Sequence, residues 1–364
     1  MPGSVKDLTR ITFVLPDFYA GGAQKVLLML AGGLDPGRFE PSVVVLNGDG
    51  PWAALVPENI QVTDLKKPGL RTALPALRRV LRDQVPDIII STMGYMNLGV
   101  LFLKPFVGNS PKYLVREANA LAPEGAGGLK AGVLRAAYRR LYARADRVLS
   151  PSQKIAGQLV GNYGVKQQAM TVLRNPVDVE NLRARASPVQ RKPGQGARYV
   201  CVGRLNTQKA YGRMLDMMQA QGISGHVTII GEGPERDMLE GKKIAHGLED
   251  RVTLAGFNAN PAPWIAGADA LLLPSLWEGL PNVALEALAL GTPVIAAPEA
   301  GGIGEIASLA KKGAVTIATI GPEFARAMSG VHLAKTLALR PSFLPDVFLP
   351  KRVNAAFQEI LDSL

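Results

Sequence analysis

Cysteine is nearly absent. Cys201 stands alone among 364 residues, so neither an intramolecular disulfide nor a cysteine metal cluster can form, a pattern suited to a reducing cytosol. Histidine is scarce too: His226, His246 and His332 all lie in the second half, with no H-x-x-x-H or H-E-x-x-H spacing. That argues against a histidine-based metal hydrolase. Aromatic residues make up only 6%, and no aromatic-rich motif supports a nucleic-acid reader. The longest apolar stretches, such as Leu98–Leu103 and Ala270–Pro274, are far shorter than a membrane span. The opening residues Met1–Arg10 are mixed in charge and lack the apolar core of a secretory signal. The expectation is a cytoplasmic chain, soluble or attached to the inner face of a membrane from one side.

What is present is a globular composition, with 47% apolar and 20% charged residues. Its length predicts two domains. The net charge of +11 is uneven: residues 1–182 carry 22 Lys and Arg against 14 Asp and Glu, and residues 183–364 carry 19 against 16. Such a basic first half points to an anionic partner, whether nucleic acid, a membrane surface or phosphorylated substrates. Arg78, Arg79 and Arg82 recur on one predicted helix, and Arg135, Arg139, Arg140 and Arg144 on another. They read either as solvated faces or as docking sites for an anionic cytoplasmic leaflet.

Short apolar runs alternate with helical periodicity throughout. Ile11–Leu15, Ser42–Leu46, Ile88–Ser91, Lys112–Arg116 and Arg147–Ser150 read as buried strands, with helices over Ala23–Gly32 and Leu74–Gln84. From Arg183 to Arg198 the chain is polar and rich in Gly and Pro, a linker composition. The alternation then resumes with strands Tyr199–Val202, Val227–Ile230, Val252–Leu254, Ala270–Leu273 and Val294–Ala296. The pattern predicts an α/β protein of two doubly wound domains, 1–182 and 199–340, facing across a cleft. Ligands in such sheets collect at the carboxyl ends of the strands.

Three segments carry candidate chemistry. In Leu272–Ala297, Glu278 lies in a strand-to-helix loop, Pro281 is placed to open the helix, and Glu286 follows eight positions after Glu278. Two carboxylates flanking free helix-start N–H groups could grip hydroxylated rings at either end of a diphosphate. In Tyr199–Lys209, a strand ends at Gly203, and Arg204 and Lys209 follow, suited to neutralising a diphosphate. In Pro16–Val26, the pair Gly21-Gly22 between strand and helix lets backbone approach a phosphate. Gly231-Glu-Gly-Pro-Glu-Arg only superficially matches a dinucleotide fingerprint, because Arg236 occupies the third glycine position.

In order and spacing these segments resemble family 4 of the retaining glycosyltransferases, with the GT-B fold. The likeness runs through Gly21–Val26, Gly203–Lys209, Gly231–Pro234, Glu278–Ala287, Gly291–Val294 and Gly301–Ile306. It implies transfer of a hexose or N-acetylhexosamine, from a UDP-sugar by preference, to a glycan or lipid-linked acceptor. By that resemblance Arg204 and Lys209 hold the donor diphosphate, Glu278 addresses the transferred sugar and Glu286 binds the ribose. Backbone amides around Gly279, Leu280, Pro281, Asn282 and Val283 add phosphate contacts, Gly21 and Gly22 close over the donor, and Phe257 lies near the base. Arg116-Glu117-Ala118-Asn119 resembles an acceptor-side element in which many relatives carry His, so Glu117 or Asn119 inherits that role. Ala210 stands where Gly or Asn often follows the lysine, and residues 341–364 resemble a segment crossing back to the first domain. No D-x-D triplet occurs, so no metal or other cofactor is expected. The competing readings are a non-catalytic sugar-nucleotide-binding relative and, from charge alone, a nucleic-acid-binding protein.

Overall fold

Runs such as Ile88–Thr92, buried at every position, can be buried on both faces only in a parallel sheet covered by helices on each side. Two such sheets form. The computed structural model describes residues 8–19, 21–119, 129–187, 196–333 and 338–364. Its contacts divide into two units: Met1–Pro176 with Pro350–Leu364, and Val177–Leu349.

The first unit contains β1 (Thr9–Asp17), β2 (Phe39–Asn47), β3 (Gln61–Asp64), β4 (Ile88–Thr92), β5 (Lys112–Arg116), β6 (Arg147–Ser150) and β7 (Met170–Val172). All pair in parallel in the order β3-β2-β1-β4-β5-β6-β7. Phe13 lies level with Val43 on one side and Ile90 on the other. The two-residue period of a strand sorts the side chains: Ile11, Phe13, Leu15, Val43, Val45 and Ile90 enter one core, while Val14, Val44, Ile89, Tyr113 and Val115 enter the other. The first core is closed by the helix Pro350–Asp362, whose Val353, Phe357 and Leu361 recur every four residues and are buried.

The second unit contains β8 (Arg198–Val202), β9 (His226–Ile230), β10 (Val252–Gly256), β11 (Ala270–Leu273), β12 (Val294–Ala296) and β13 (Val315–Ile317). Their order is β10-β9-β8-β11-β12-β13, again parallel. In both sheets the strand order reverses beside the first strand, between β1 and β4 and between β8 and β11. Ligands of open α/β sheets bind at this kind of crevice.

Several predicted boundaries shift. The contacts divide after Pro176 and not after Leu182, because Leu182 is buried in the second unit's core. Arg183, read as the start of a linker, lies in the helix Val179–Ala184 and donates to the carbonyls of Ala289 and Arg340 at 3.0 and 2.9 Å. Residues 188–195 of that predicted linker lie outside the described residues. Of the segment expected to cross back, Pro350 onward joins the first unit, while Phe343, Leu344 and Phe348 pack in the second. Pro281 precedes the helix Asn282–Ala289 as its extended cap instead of opening it. The helices predicted over Ala23–Gly32 and Leu74–Gln84 begin earlier, as Gly22–Gly32 and Leu70–Gln84.

Candidate active site

At the reversal point of the second sheet, the loops after β8 and β11 meet. Lys209 Nζ donates to Glu278 Oε1 at 2.6 Å, and the two side chains are only 16% and 9% exposed. Ser275 Oγ donates to the same oxygen at 2.8 Å. Gln208 Nε2 reaches the carbonyl of Trp277 at 3.0 Å and Glu278 Oε2 at 3.4 Å, while Leu276 N–H donates to the Gln208 carbonyl at 2.9 Å. Two short loops are thereby fastened through a carboxylate and an amide. A largely buried ion pair with this many hydrogen bonds fixes geometry more than it adds stability.

Arg204 behaves differently. It is exposed and, among the described residues, makes no hydrogen bond or ion pair, so its guanidinium is available. Lys209 and Arg204 were expected to act alike; the structure ties one to Glu278 and leaves the other open.

Backbone packing keeps the loops close. A Cβ on Gly203 would lie 2.7 Å from Lys209 Cε and 2.9 Å from the Tyr211 hydroxyl. Gly301 has φ +62°, and a Cβ there would lie 2.0 Å from the Glu278 carbonyl oxygen. Next to it, Gly302 N–H donates to the Gly279 carbonyl at 2.7 Å. The loop after β12 thus supports the Glu278–Gly279 backbone from behind. Ala210 caps the helix Tyr211–Ala220 in the left-handed conformation, φ 51° and ψ 39°. That conformation costs an L-residue energy and suits Gly or Asn, which gives a reason why those residues often occupy the position.

The helix Asn282–Ala289 follows. Ala284, Leu285, Ala287 and Leu288 are buried, leaving Asn282, Val283 and Glu286 half-buried on the outer side. Gly279, Leu280 and Pro281 are buried in the approach to it. The first amides of a helix have no carbonyl of that helix to bind and favour an anion. Phe257 is 55% exposed after the edge strand β10, which lies two strands from β8.

Three contributors were assigned no role from the sequence. Arg213 grips the carbonyl of Pro274 through Nη2 and Nε at 2.6 and 2.9 Å, and that of Ser275 at 3.2 Å. Ser275 and Gln208 position Glu278. Gln208 lies inside the Gly203–Lys209 motif and was visible there; the reach of Arg213 across 61 residues left no local signal.

The first sheet gathers a second polar cluster. Gly21 caps the helix Gly22–Gly32 in extended conformation, and the turn before it is tied by Asp17, which accepts from Tyr19 N–H at 2.9 Å and Gln24 Nε2 at 3.2 Å. At the end of β5, Glu117 is buried and accepts from the Tyr142 hydroxyl. Asn97 Nδ2 donates to that hydroxyl at 3.0 Å and to the Arg116 carbonyl at 3.1 Å, and Ser91 Oγ donates to Asn97 Oδ1 at 2.7 Å. Burial pushes the Glu117 carboxyl up to about 7, against the lowering effect of Tyr142, Asn97 and the Arg116 charge. Arg116, fully buried and bonded to Asn175, is brought down to about 10 by the same loss of water. Asn119 is exposed beyond this network. Among the described residues, no group of three or more His, Cys, Asp or Glu could hold a metal ion.

Two parallel doubly wound sheets with polar loops at their reversal points define the GT-B fold class. Likeness across whole chains supports it. HepE of Anabaena in complex with UDP and glucose superposes with a TM-score of 0.76 at 20% identity, covering 98% of this chain and 100% of that one. The apo lipopolysaccharide outer core galactosyltransferase WaaB gives 0.71 at 20% identity, covering 98% and 100%. "Glycosyl transferase 4-like domain" matches residues 21–176 and "Glycosyl transferases group 1" matches residues 183–329. The chain belongs to the family-4-like, group 1 glycosyltransferases. Among curated relatives, an N-acetylgalactosaminyltransferase of Campylobacter jejuni acting on N-acetylgalactosamine-N,N'-diacetylbacillosaminyl-diphospho-undecaprenol is 28% identical over 46% of this chain and 45% of its own. The putative colanic acid biosynthesis glycosyltransferase WcaL of Salmonella typhimurium is 29% identical over 48% and 45%. The chain spans about half the length of the curated relatives it matches, 57%, 45% and 45% for the first three.

Proposed function

We propose that this chain transfers a hexosyl or N-acetylhexosaminyl group from a UDP-sugar to a glycan or lipid-linked acceptor, with retention at the anomeric carbon and without a metal. The observation that carries this reading is the buried Lys209–Glu278 pair joining the loops after β8 and β11, with Glu278 in the approach to the helix Asn282–Ala289 and an exposed Arg204 in the same loop as Lys209. Support for the donor comes from HepE, solved with UDP and with UDP-glucose. For the acceptor class it comes from the diphospho-undecaprenol and the colanic acid biosynthesis in the relatives' names.

Arg204 and the amides from Gly279 to Val283 meet the diphosphate, and Lys209 adds its charge from a position fixed by Glu278. As the acceptor oxygen bonds to the sugar carbon, the bond to the phosphate oxygen breaks and its electron pair leaves with UDP. The acceptor's proton passes to that diphosphate. Fixed cations stabilise the leaving charge at no cost of reorganisation. Glu278 Oε1 already takes two donors, whereas Oε2 has only the long contact from Gln208, so Oε2 is the atom to accept a sugar hydroxyl. Glu286 binds the ribose hydroxyls. Within the first unit, Gly21 and Gly22 offer open backbone, and Glu117 with Asn119 serves the acceptor. Cations from the chain take the place of an ion clamp, in keeping with the missing D-x-D triplet.

Thermal melting with UDP, GDP, ADP and their sugars tests the reading, since a ligand specific to the folded state raises its melting temperature. UDP and a UDP-sugar should give the largest rise, lost in Arg204→Ala. No shift with any nucleotide would overturn the proposal.

A further inference from the structure

The polar network at the end of β5 has a direction. Asn97 Nδ2 donates to two oxygens, the Arg116 carbonyl at 3.1 Å and the Tyr142 hydroxyl at 3.0 Å, while Asn97 Oδ1 accepts from Ser91 Oγ at 2.7 Å. An amide nitrogen only donates and its oxygen only accepts, so these partners fix which way round the Asn97 amide sits. The Tyr142 oxygen receives a proton from Asn97 and points its own at Glu117 Oε2. Every link from Ser91 through Asn97 and Tyr142 to Glu117 therefore runs one way, toward the carboxyl. All four residues are buried, where low dielectric strengthens such a chain.

A carboxyl whose Oε2 is held as an acceptor can carry its proton only on Oε1. That oxygen lies at the start of the helix Gly94–Val107: a Cβ on Gly94 would sit 3.4 Å from it and would collide with the Tyr138 hydroxyl. Met93, just before, is held at φ 71°, a conformation that costs an L-residue energy and persists only where the surroundings impose it. Gly94 follows β4, one of the two strands at this sheet's reversal point, the place where open α/β sheets take ligands.

We propose that Ser91, Asn97 and Tyr142 are positioning residues that hold Glu117 by Oε2 so that Oε1 accepts a hydroxyl of the acceptor sugar. Below about pH 7 the carboxyl keeps its proton, on Oε1; above it Oε1 is a charged acceptor, and a charge-assisted hydrogen bond is roughly twice as strong as a neutral one. Loss of water raises this carboxyl, and Tyr142, Asn97 and the Arg116 charge on its own strand oppose the rise. From the helix Leu129–Tyr142, Tyr138 and Tyr142 are phenols pushed far up by burial and by Glu117 itself, so they stay neutral. Behind them Tyr163, from the helix Gln153–Tyr163, has its ring centre 5.1 Å from that of Tyr138. Lys104, the cation of the helix Gly94–Val107, is paired with Asp146 at 2.7 Å. That the ligand is the acceptor sugar rests on the transfer reading; the direction of the network does not.

Saturation-transfer NMR on the full chain tests it, with the methyl glycosides of glucose, galactose and N-acetylglucosamine as probes, from mildly acidic to mildly alkaline buffer. At least one glycoside should bind about fivefold more tightly at the alkaline end, with a midpoint near pH 7. Glu117→Gln should bind equally across the range. Tyr142→Phe removes a hydrogen bond that favours the ionised carboxyl, so the midpoint should move up by about one pH unit. A merely structural tyrosine would weaken binding at every pH and leave the midpoint in place. Should that variant not fold, Ser91→Ala, which frees the Asn97 amide to turn, should move the midpoint the same way by less. No glycoside binding by the parent, binding that does not change with pH, or an unmoved midpoint in the folded variant overturns the inference. Glycoside binding that follows pH without a UDP-induced rise in melting temperature overturns only the transfer reading.

Discussion

The two sheets share one strand order over six strands and one reversal point, yet their carboxyl edges are built in opposite ways. In the second sheet, the charged groups sit in loops locked by close backbone approaches at Gly203 and Gly301, with Arg204 left open. In the first, Glu117 and Arg116 are buried inside a network of Tyr142, Asn97 and Asn175. A common scaffold therefore carries one edge with an exposed cation and another that withholds its charged side chains from water. The difference comes from the loops, as expected where a fold supplies position and its edges supply chemistry.

Substitutions can break or sharpen this contrast. The largest effect is expected for Lys209→Ala, which strands the buried Glu278 carboxylate and should destabilise the second unit by about 3 kcal/mol. Urea unfolding would measure it, and adding Glu278→Gln should recover much of the loss. Arg204→Ala should leave stability nearly unchanged and lower turnover at least about a hundredfold, close to 2.7 kcal/mol of barrier; Glu278→Ala should lower turnover similarly. Equal unfolding of the Lys209 and Arg204 variants would erase the distinction between the two cations.

On the other edge, Glu117 holds its proton to about pH 7 when folded and releases it near the usual carboxyl value when unfolded. Its stabilising contribution is complete below that usual value and is lost as pH rises through about 7. Glu117→Gln should match the parent at low pH and exceed it by about 2 kcal/mol in mildly alkaline buffer. A constant difference across pH would mean that the carboxyl is not held protonated. The smallest effect is expected for Ala210→Gly: relief of the left-handed strain should outweigh the added freedom of the unfolded chain, raising stability by about 0.5 kcal/mol in calorimetry.

The central strands were legible because Val and Ile runs buried on both faces have few alternatives. Lys112–Arg116, Arg147–Ser150, Ala270–Leu273 and Val294–Ala296 occur as predicted. The edge strands β3, β7 and β13 were not, since Gln61–Asp64, Met170–Val172 and Val315–Ile317 are short and contain no fully buried residue. The helix Gly94–Val107 was noticed only as an apolar stretch, because periodicity vanishes when both sides are apolar. At the site, the residue types were visible in the motifs but their pairing was not. Lys209 and Glu278 are 69 positions apart, and the tyrosine beside Glu117 comes from a helix 25 residues later.

The position of Phe357 bears on how this chain is made. Its ring fills the first unit's core, 6.5 Å from that of Phe13, while Val177–Leu349 closes its own core from a continuous stretch. Domains generally fold in the order they emerge during synthesis. Here the helix that completes the first unit follows the whole of the second unit in the chain, so the first unit's core cannot be sealed until that later stretch has been made.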